Sequence, residues 1–190
     1  MKNQITTMIK GFFAGKAQKE RTKILIGAPK FIIRTNKLIV QVPYYSGSVL
    51  QDQETEMNAL MSVLMTKENT LQKPVELRFI RLQYPYLDSL ILSQYLALNA
   101  GKYNFLRMKK RLFQKVGTGN VDGLDNHLPS LSTGVKVELS GRLTTQRSIP
   151  RKTVTNAHKG SFTVSKKLDA SLSLSQYTAK NKFGSYTLKV

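Results

Sequence analysis

Six basic side chains and no acid fall between Lys102 and Lys115, and four of them, Arg107, Lys109, Lys110 and Arg111, are nearly contiguous. Guanidinium groups grip phosphate oxygens bidentately and ammonium groups hold them as point charges, so the chemistry open to this set is anion binding. A second basic set, Arg142, Arg147, Arg151 and Lys152 with Lys159 behind it, is interleaved with Thr, Ser and Gln. That mixture suits contacts to phosphate and ribose. Catalytic parts are missing by comparison. The chain has no Cys, which removes thiolate metal sites, disulfides and Cys nucleophiles together. His127 and His158 have no carboxylate at metal-ligand spacing, and Gly117, Gly119 and Gly123 are spaced one residue too long for a dinucleotide fingerprint. Neither a Walker loop nor a nucleophile elbow is present. The residues point to binding, with no cofactor, no metal and no small-molecule substrate. An enzyme acting on nucleic acid is the competing class, resting on scattered acids that show no paired-carboxylate pattern.

Overall charge agrees. The 190 residues hold 30 Lys plus Arg against 11 Asp plus Glu, a formal net charge of +19. Residues 1–101 contribute 13 basic and 7 acidic side chains, a net of +6, and residues 102–190 contribute 17 and 4, a net of +13. Solubility needs only about 2–8 net charges on a small domain, so this excess calls for an anionic partner. Nucleic acid fits best, because each neutralised phosphate releases condensed counterions. No apolar run approaches the ~18 residues of a membrane helix, and no stretch pairs a basic face with exposed Trp or Phe anchors.

The elements that must position these cations follow from periodicity. Residues 1–23, basic and nearly acid-free, read as an extension laid on RNA in preference to a transit peptide. Ile24 to Ile26, Phe31 to Ile33 and Leu38 to Val42 read as strands, with a two-residue turn at Asn36 and Lys37 and a stop at Pro43. Residues 44–52 read as a loop. Met57, Leu60, Met61 and Leu64 recur at helical spacing within a helix Gln53 to Met65, and Val75, Leu77 and Phe79 alternate as a strand. Asp88 is the expected N-cap of a helix from Ser89 to Asn99, with Ile91, Leu92, Tyr95, Leu96 and Leu98 on its apolar face and Gly101 as its C-terminal cap.

In the next helix Phe105, Met108 and Leu112 share one face, which leaves Arg107, Lys110 and Arg111 on the other. Arg107 and Arg111 are a like-charge pair one turn apart with no acid in reach, an arrangement that an anion would relieve. Residues 116–133 are Gly-rich and polar and read as a flexible loop. The last sixty residues alternate with period two at Val135, Val137 and Leu139, at Ala170, Leu172 and Leu174, and at Tyr186, Leu188 and Val190. Their Ser-rich alternate positions imply an antiparallel sheet with one wet face.

The run Gly134 to Leu143, GVKVELSGRL, resembles the signature that opens the C-terminal domain of the third protein of the small ribosomal subunit. Phe105 to Arg111, FLRMKKR, is similar to the same family's aromatic–Arg–Arg–x–x–Lys–Arg helix, and Arg81 to Asp88, RLQYPYLD, looks like its fungal mitochondrially encoded form. The resemblance implies an α+β chain of two domains and a localisation in the mitochondrial matrix, on the ribosome. Residues 24–86 would be a degenerate type II K-homology domain, since the loop Tyr44 to Gln51 holds only Gly47 and no Gly-x-x-Gly clamp. Residues 87–190 would be an α+β domain with two helices on an antiparallel sheet. The implied partners are small-subunit rRNA, mRNA and neighbouring proteins of the subunit head. The basic helix would line the channel through which messenger RNA enters, with Arg107 and Lys110 matching family cations and Arg111 a neighbouring basic position. Leu106 replaces the first Arg, so an unwinding role would be weaker or shifted to Lys109. The family also usually continues past the position of Val190. A free-standing RNA chaperone or splicing cofactor is the alternative.

Overall fold

The computed structural model describes residues 2–19, 24–46, 74–116, 134–146, 148–149, 151–160 and 172–190. The chain divides into two compact units, Met1–Tyr84 and Pro85–Val190.

In the first unit, helix α1 (Lys2–Lys19) is followed by strands β1 (Leu25–Ile26), β2 (Lys30–Ile33), β3 (Leu38–Tyr45) and β4 (Val75–Arg81). β3 is central. β1 and β2 pair antiparallel with successive parts of one of its edges, and β4 pairs parallel with the other. Between Ile26↔Tyr44 and Lys30↔Gln41, the three residues Gly27, Ala28 and Pro29 face the two residues Val42 and Pro43, a bulge. This bulge explains why Pro43 does not end the strand as expected: its missing N–H falls where the ladder is already interrupted, and its carbonyl still accepts from Gly27 N at 2.9 Å. The hairpin before it turns through two residues as expected, but one position earlier, at Thr35 and Asn36: Arg34 N donates to Lys37 O at 2.9 Å, and Ile33 lies opposite Leu38.

The N-terminal segment is a further correction. It is no free extension: Ile5, Ile9 and Phe13, spaced four apart and hence on one helical stripe, are buried against Leu38, Val40, Val42 and Val75. Phe13 also meets Phe79 edge-on at 5.8 Å between ring centroids. The helix expected over Gln53 to Met65 lies outside the described residues, as do Gly47 and all of the expected loop 116–133 except Val116, which is buried.

The second unit begins with a short 3-10 turn, Pro85–Leu87, followed by α2 (Ser89–Asn99), α3 (Phe105–Lys115), β5 (Gly134–Ser140), β6 (Val154–Gly160), β7 (Gln176–Asn181) and β8 (Gly184–Lys189). The four strands form one antiparallel sheet in the order β6-β5-β8-β7. Val135, Val137, Leu139, Tyr186 and Leu188 point to one face and pack with Leu92, Leu96, Phe105, Met108 and Leu112 of the helices. The alternating residues Lys136, Asn156, His158, Thr178 and Lys189 make the wet face.

Asp88 caps α2 as expected, its carboxylate accepting from Ile91 N at 2.9 Å. The helix's buried face is rotated from the expected one: Ser93 is buried, its hydroxyl donating to Leu90 O, while Tyr95 and Leu98 are exposed. Gly101 is not a left-handed cap; the helix ends on Ala100 in ordinary helical geometry, and Asn99 O accepts from Lys102 N and Tyr103 N. The strand expected around Leu172 and Leu174 starts later, at Gln176. The Ser/Leu alternation there is used in reverse. Ser173, exposed, and Ser175, half-buried, turn towards Ser89 and share hydrogen bonds with it at 2.7 and 2.8 Å, and Leu172 and Leu174 face outward, 79% and 78% exposed.

GVKVELSGRL is legible residue by residue. Val135, Val137, Leu139 and Leu143 are core, Lys136 is exposed, and Glu138 pairs with Lys189 at 3.0 Å. Gly141 has φ +108°, and a Cβ on it would sit 2.8 Å from Ser185 O and 2.9 Å from Tyr186 Cα. Only glycine fits that turn.

Candidate nucleic-acid interface

α3 exists because its two faces demand it. Asn104 caps its N-terminus, accepting from Arg107 N at 2.9 Å. Phe105, Met108 and Leu112 are buried in the core of the second unit, and Val116 closes the stripe. This docking fixes the opposite face outward: Arg107, Lys110 and Arg111 are exposed, and Lys109 is half-buried on the flank.

The C-terminal end of α3 is held from the sheet. Lys159 on β6 donates through Nζ to Phe113 O at 2.5 Å and Val116 O at 2.8 Å, placing a cation on the carbonyls that the helix leaves unpaired. Lys159 is therefore committed to packing α3, which corrects its assignment to phosphate contacts.

At the other end, one aromatic ring serves two cations. The guanidinium carbons of Arg107 and Arg111 lie 4.9 and 4.8 Å from the centroid of Tyr103. Two exposed cation–π contacts, each about 0.5–1 kcal/mol, outweigh the ~0.2–0.5 kcal/mol of repulsion between like charges one turn apart. The like-charge pair is thus relieved internally, and its repulsion alone no longer argues for a partner. The charge imbalance does. Among the described residues of the second unit, fourteen Lys and Arg accompany two acids, Asp88 and Glu138. Asp88 caps α2, and Glu138 is paired with Lys189, whose ammonium holds its carboxyl below the usual carboxylate range. No carboxylate reaches the α3 cations among the described residues.

The second predicted set is only partly assembled. Arg142 is half-buried with its guanidinium 4.3 Å from the Phe183 ring centroid and Nη2 donating to Gln146 O at 3.2 Å, while its own carbonyl accepts from Asn181. Much of it is therefore used in closing the end of the sheet. Arg151 and Lys152 are exposed just before β6, and Arg147 lies outside the described residues. Gly141 N donates to Thr153 O, so this group sits near the Ser140 end of β5, about 17 Å along the strand from the Val135–Lys159 pair that holds α3. The predicted residues thus form two separate groups, as their two sets in the sequence do. Tyr103 and Phe183 went unnoticed in the sequence; an aromatic residue four positions before a basic helical residue was the available signal for the first. His158 is exposed on β6 opposite Lys136, and among the described residues no cluster of three His, Asp or Glu gathers as a metal site.

Residues 24–190 match the family described as mitochondrial ribosomal protein (VAR1). The chain belongs to that family. It is therefore a mitochondrial ribosomal protein, a structural component and not an enzyme, and its place is the mitochondrial ribosome. The small ribosomal subunit protein uS3m of Mycosarcoma maydis is 35% identical to it over 185 residues, covering 89% of this chain and 68% of that protein. Both findings agree with the resemblance carried by Gly134–Leu143 and Phe105–Arg111. The family match begins at Ile24, so α1 precedes the matched region.

Proposed function

We propose that this mitochondrial ribosomal protein is a structural constituent of the small subunit, binds its rRNA in the head, and contributes the exposed face of α3 to the channel through which messenger RNA enters. The observation that carries the reading is the imbalance in the second unit: fourteen described cations, and two acids both engaged elsewhere. RNA phosphates are the counter-charge that restores the balance, and α3 presents Arg107, Lys110 and Arg111 to them from a docked helix. Arg151 and Lys152 form a second RNA contact, and Arg142 acts mainly by shaping that end of the sheet. The first unit is a degenerate K-homology-like scaffold, a reading supported by its strand order and by the lack of a Gly-x-x-Gly loop in the sequence.

The test is a paired measurement in mitochondria carrying Arg107→Ala with Lys110→Ala. Small subunits should assemble at near-normal yield while initiation on structured messages falls. Equal loss of both would reduce α3 to an rRNA anchor, and a free pool of the chain sedimenting apart from small subunits would favour a free-standing RNA chaperone.

A further inference from the structure

We infer that Tyr103 is a positioning residue for RNA: its ring gathers Arg107 and Arg111 into a paired clamp for two neighbouring phosphates of one strand. The inference rests on reading α3 as an RNA-binding face and adds how that face is organised. Tyr103 is anchored where the cations are not. It is half-buried, packs against the core of the second unit, and donates its backbone N–H to Asn99 O at 3.0 Å in the turn between α2 and α3. The next residue, Asn104, fixes the first turn of α3 through Arg107 N. The ring therefore has a fixed place before any ligand arrives, and both guanidinium groups rest within 4.9 Å of its centroid.

Two long side chains on an exposed helix would otherwise sample many rotamers and lose that freedom on binding. Stacking uses the flat face of a guanidinium and leaves its in-plane N–H donors for phosphate oxygens. The two cations spring from backbone positions four residues apart, about 6 Å along the helix axis, which suits successive anions on a single strand. Lys110 shares the exposed side of α3 but touches no ring among the described residues, so it serves as an internal comparison.

The test measures binding of the full chain to a short oligouridine strand across salt concentrations. Arg107→Ala with Arg111→Ala removes two phosphate contacts and should flatten the log–log salt slope by about 1.4. Tyr103→Leu keeps every charge; it should leave the slope unchanged and weaken binding about fivefold at fixed salt. Tyr103→Phe, which keeps the ring, should bind as the parent does. Arg107→Lys with Arg111→Lys keeps the charge but loses the planar stack, so it should show the same fivefold loss, and adding Tyr103→Leu to it should cost nothing more. Lys110→Ala should flatten the slope equally in the parent and in the Tyr103→Leu background.

Full parental affinity in Tyr103→Leu, or a fully additive loss on top of the two lysines, would overturn the inference. If circular dichroism shows that Tyr103→Leu unfolds, the lysine pair decides alone: parental affinity there overturns it. If the double alanine variant changes neither slope nor affinity, the reading of α3 itself fails and the clamp falls with it.

Discussion

Lys159→Met separates the packing role of this lysine from an RNA-binding one. The substitution keeps the stem that crosses from β6 to α3 and deletes the ammonium that holds Phe113 O and Val116 O. A hydrogen bond from a charged group contributes about 1.5–3 kcal/mol net, and a cation at a helix C-terminus adds about 0.3–1 kcal/mol. Ordering a lysine side chain costs up to ~2 kcal/mol, which the shorter-reaching Met partly avoids. The balance is a loss of about 1–2 kcal/mol, concentrated at the last turn of α3. Equilibrium urea denaturation of the full chain reads the total, and native-state hydrogen exchange at Val116, whose N–H donates to Leu112 O, reads the local part. The exposed Lys152→Met is the control and should fall within about 0.5 kcal/mol of the parent. A Lys159→Met variant that keeps full stability and parental exchange at Val116, but loses one unit of phosphate contact in RNA binding, would refute the assignment.

Three further outcomes follow from the same geometry. Gly141→Ala should cost about 1–3 kcal/mol in chemical denaturation, because φ +108° strains any side chain and its Cβ meets Ser185 O at 2.8 Å; parental stability would contradict it. Glu76 is held down to about 2 by hydrogen bonds from Lys37 and Arg78, below its ordinary value of 4.5. The unfolded chain therefore binds the proton first, so the contribution of Glu76 is full above pH 4.5 and drains away as pH falls towards 2. Glu76→Gln should flatten the stability–pH curve in that window, and an unchanged slope would remove the pair from the account. Tyr186→Phe deletes the buried hydroxyl that donates to Ala97 O, and should lower stability by about 1 kcal/mol as read by thermal melting.

What could be read from the chain in advance follows the strength of local patterning. α3 was legible because Phe105, Met108 and Leu112 make a clean stripe, so the exposure of Arg107, Lys110 and Arg111 followed from geometry. β5 was legible from strict alternation. α1 was not, although Ile5, Ile9 and Phe13 carry its stripe; high basic content drew attention from a pattern that only a neighbouring sheet makes meaningful. The serines near 173–175 misled because their partner, Ser89, lies more than eighty residues away in sequence. The roles of Lys159 and Arg142 were hidden for the same reason: a cation's type is local information, but whether it meets a carbonyl, a ring or a phosphate is tertiary.

The central claim is that an RNA polyanion supplies the counter-charge for α3. Crosslinking of intact mitochondrial small subunits tests it most directly, using ultraviolet light for nucleotide adducts and a zero-length carbodiimide for carboxylate–lysine pairs, followed by peptide mass spectrometry. The account predicts nucleotide adducts on the peptide spanning Tyr103 to Arg111. Recovery of that peptide bearing no nucleotide, with Lys109 and Lys110 joined instead to carboxylates of a neighbouring protein, would contradict it.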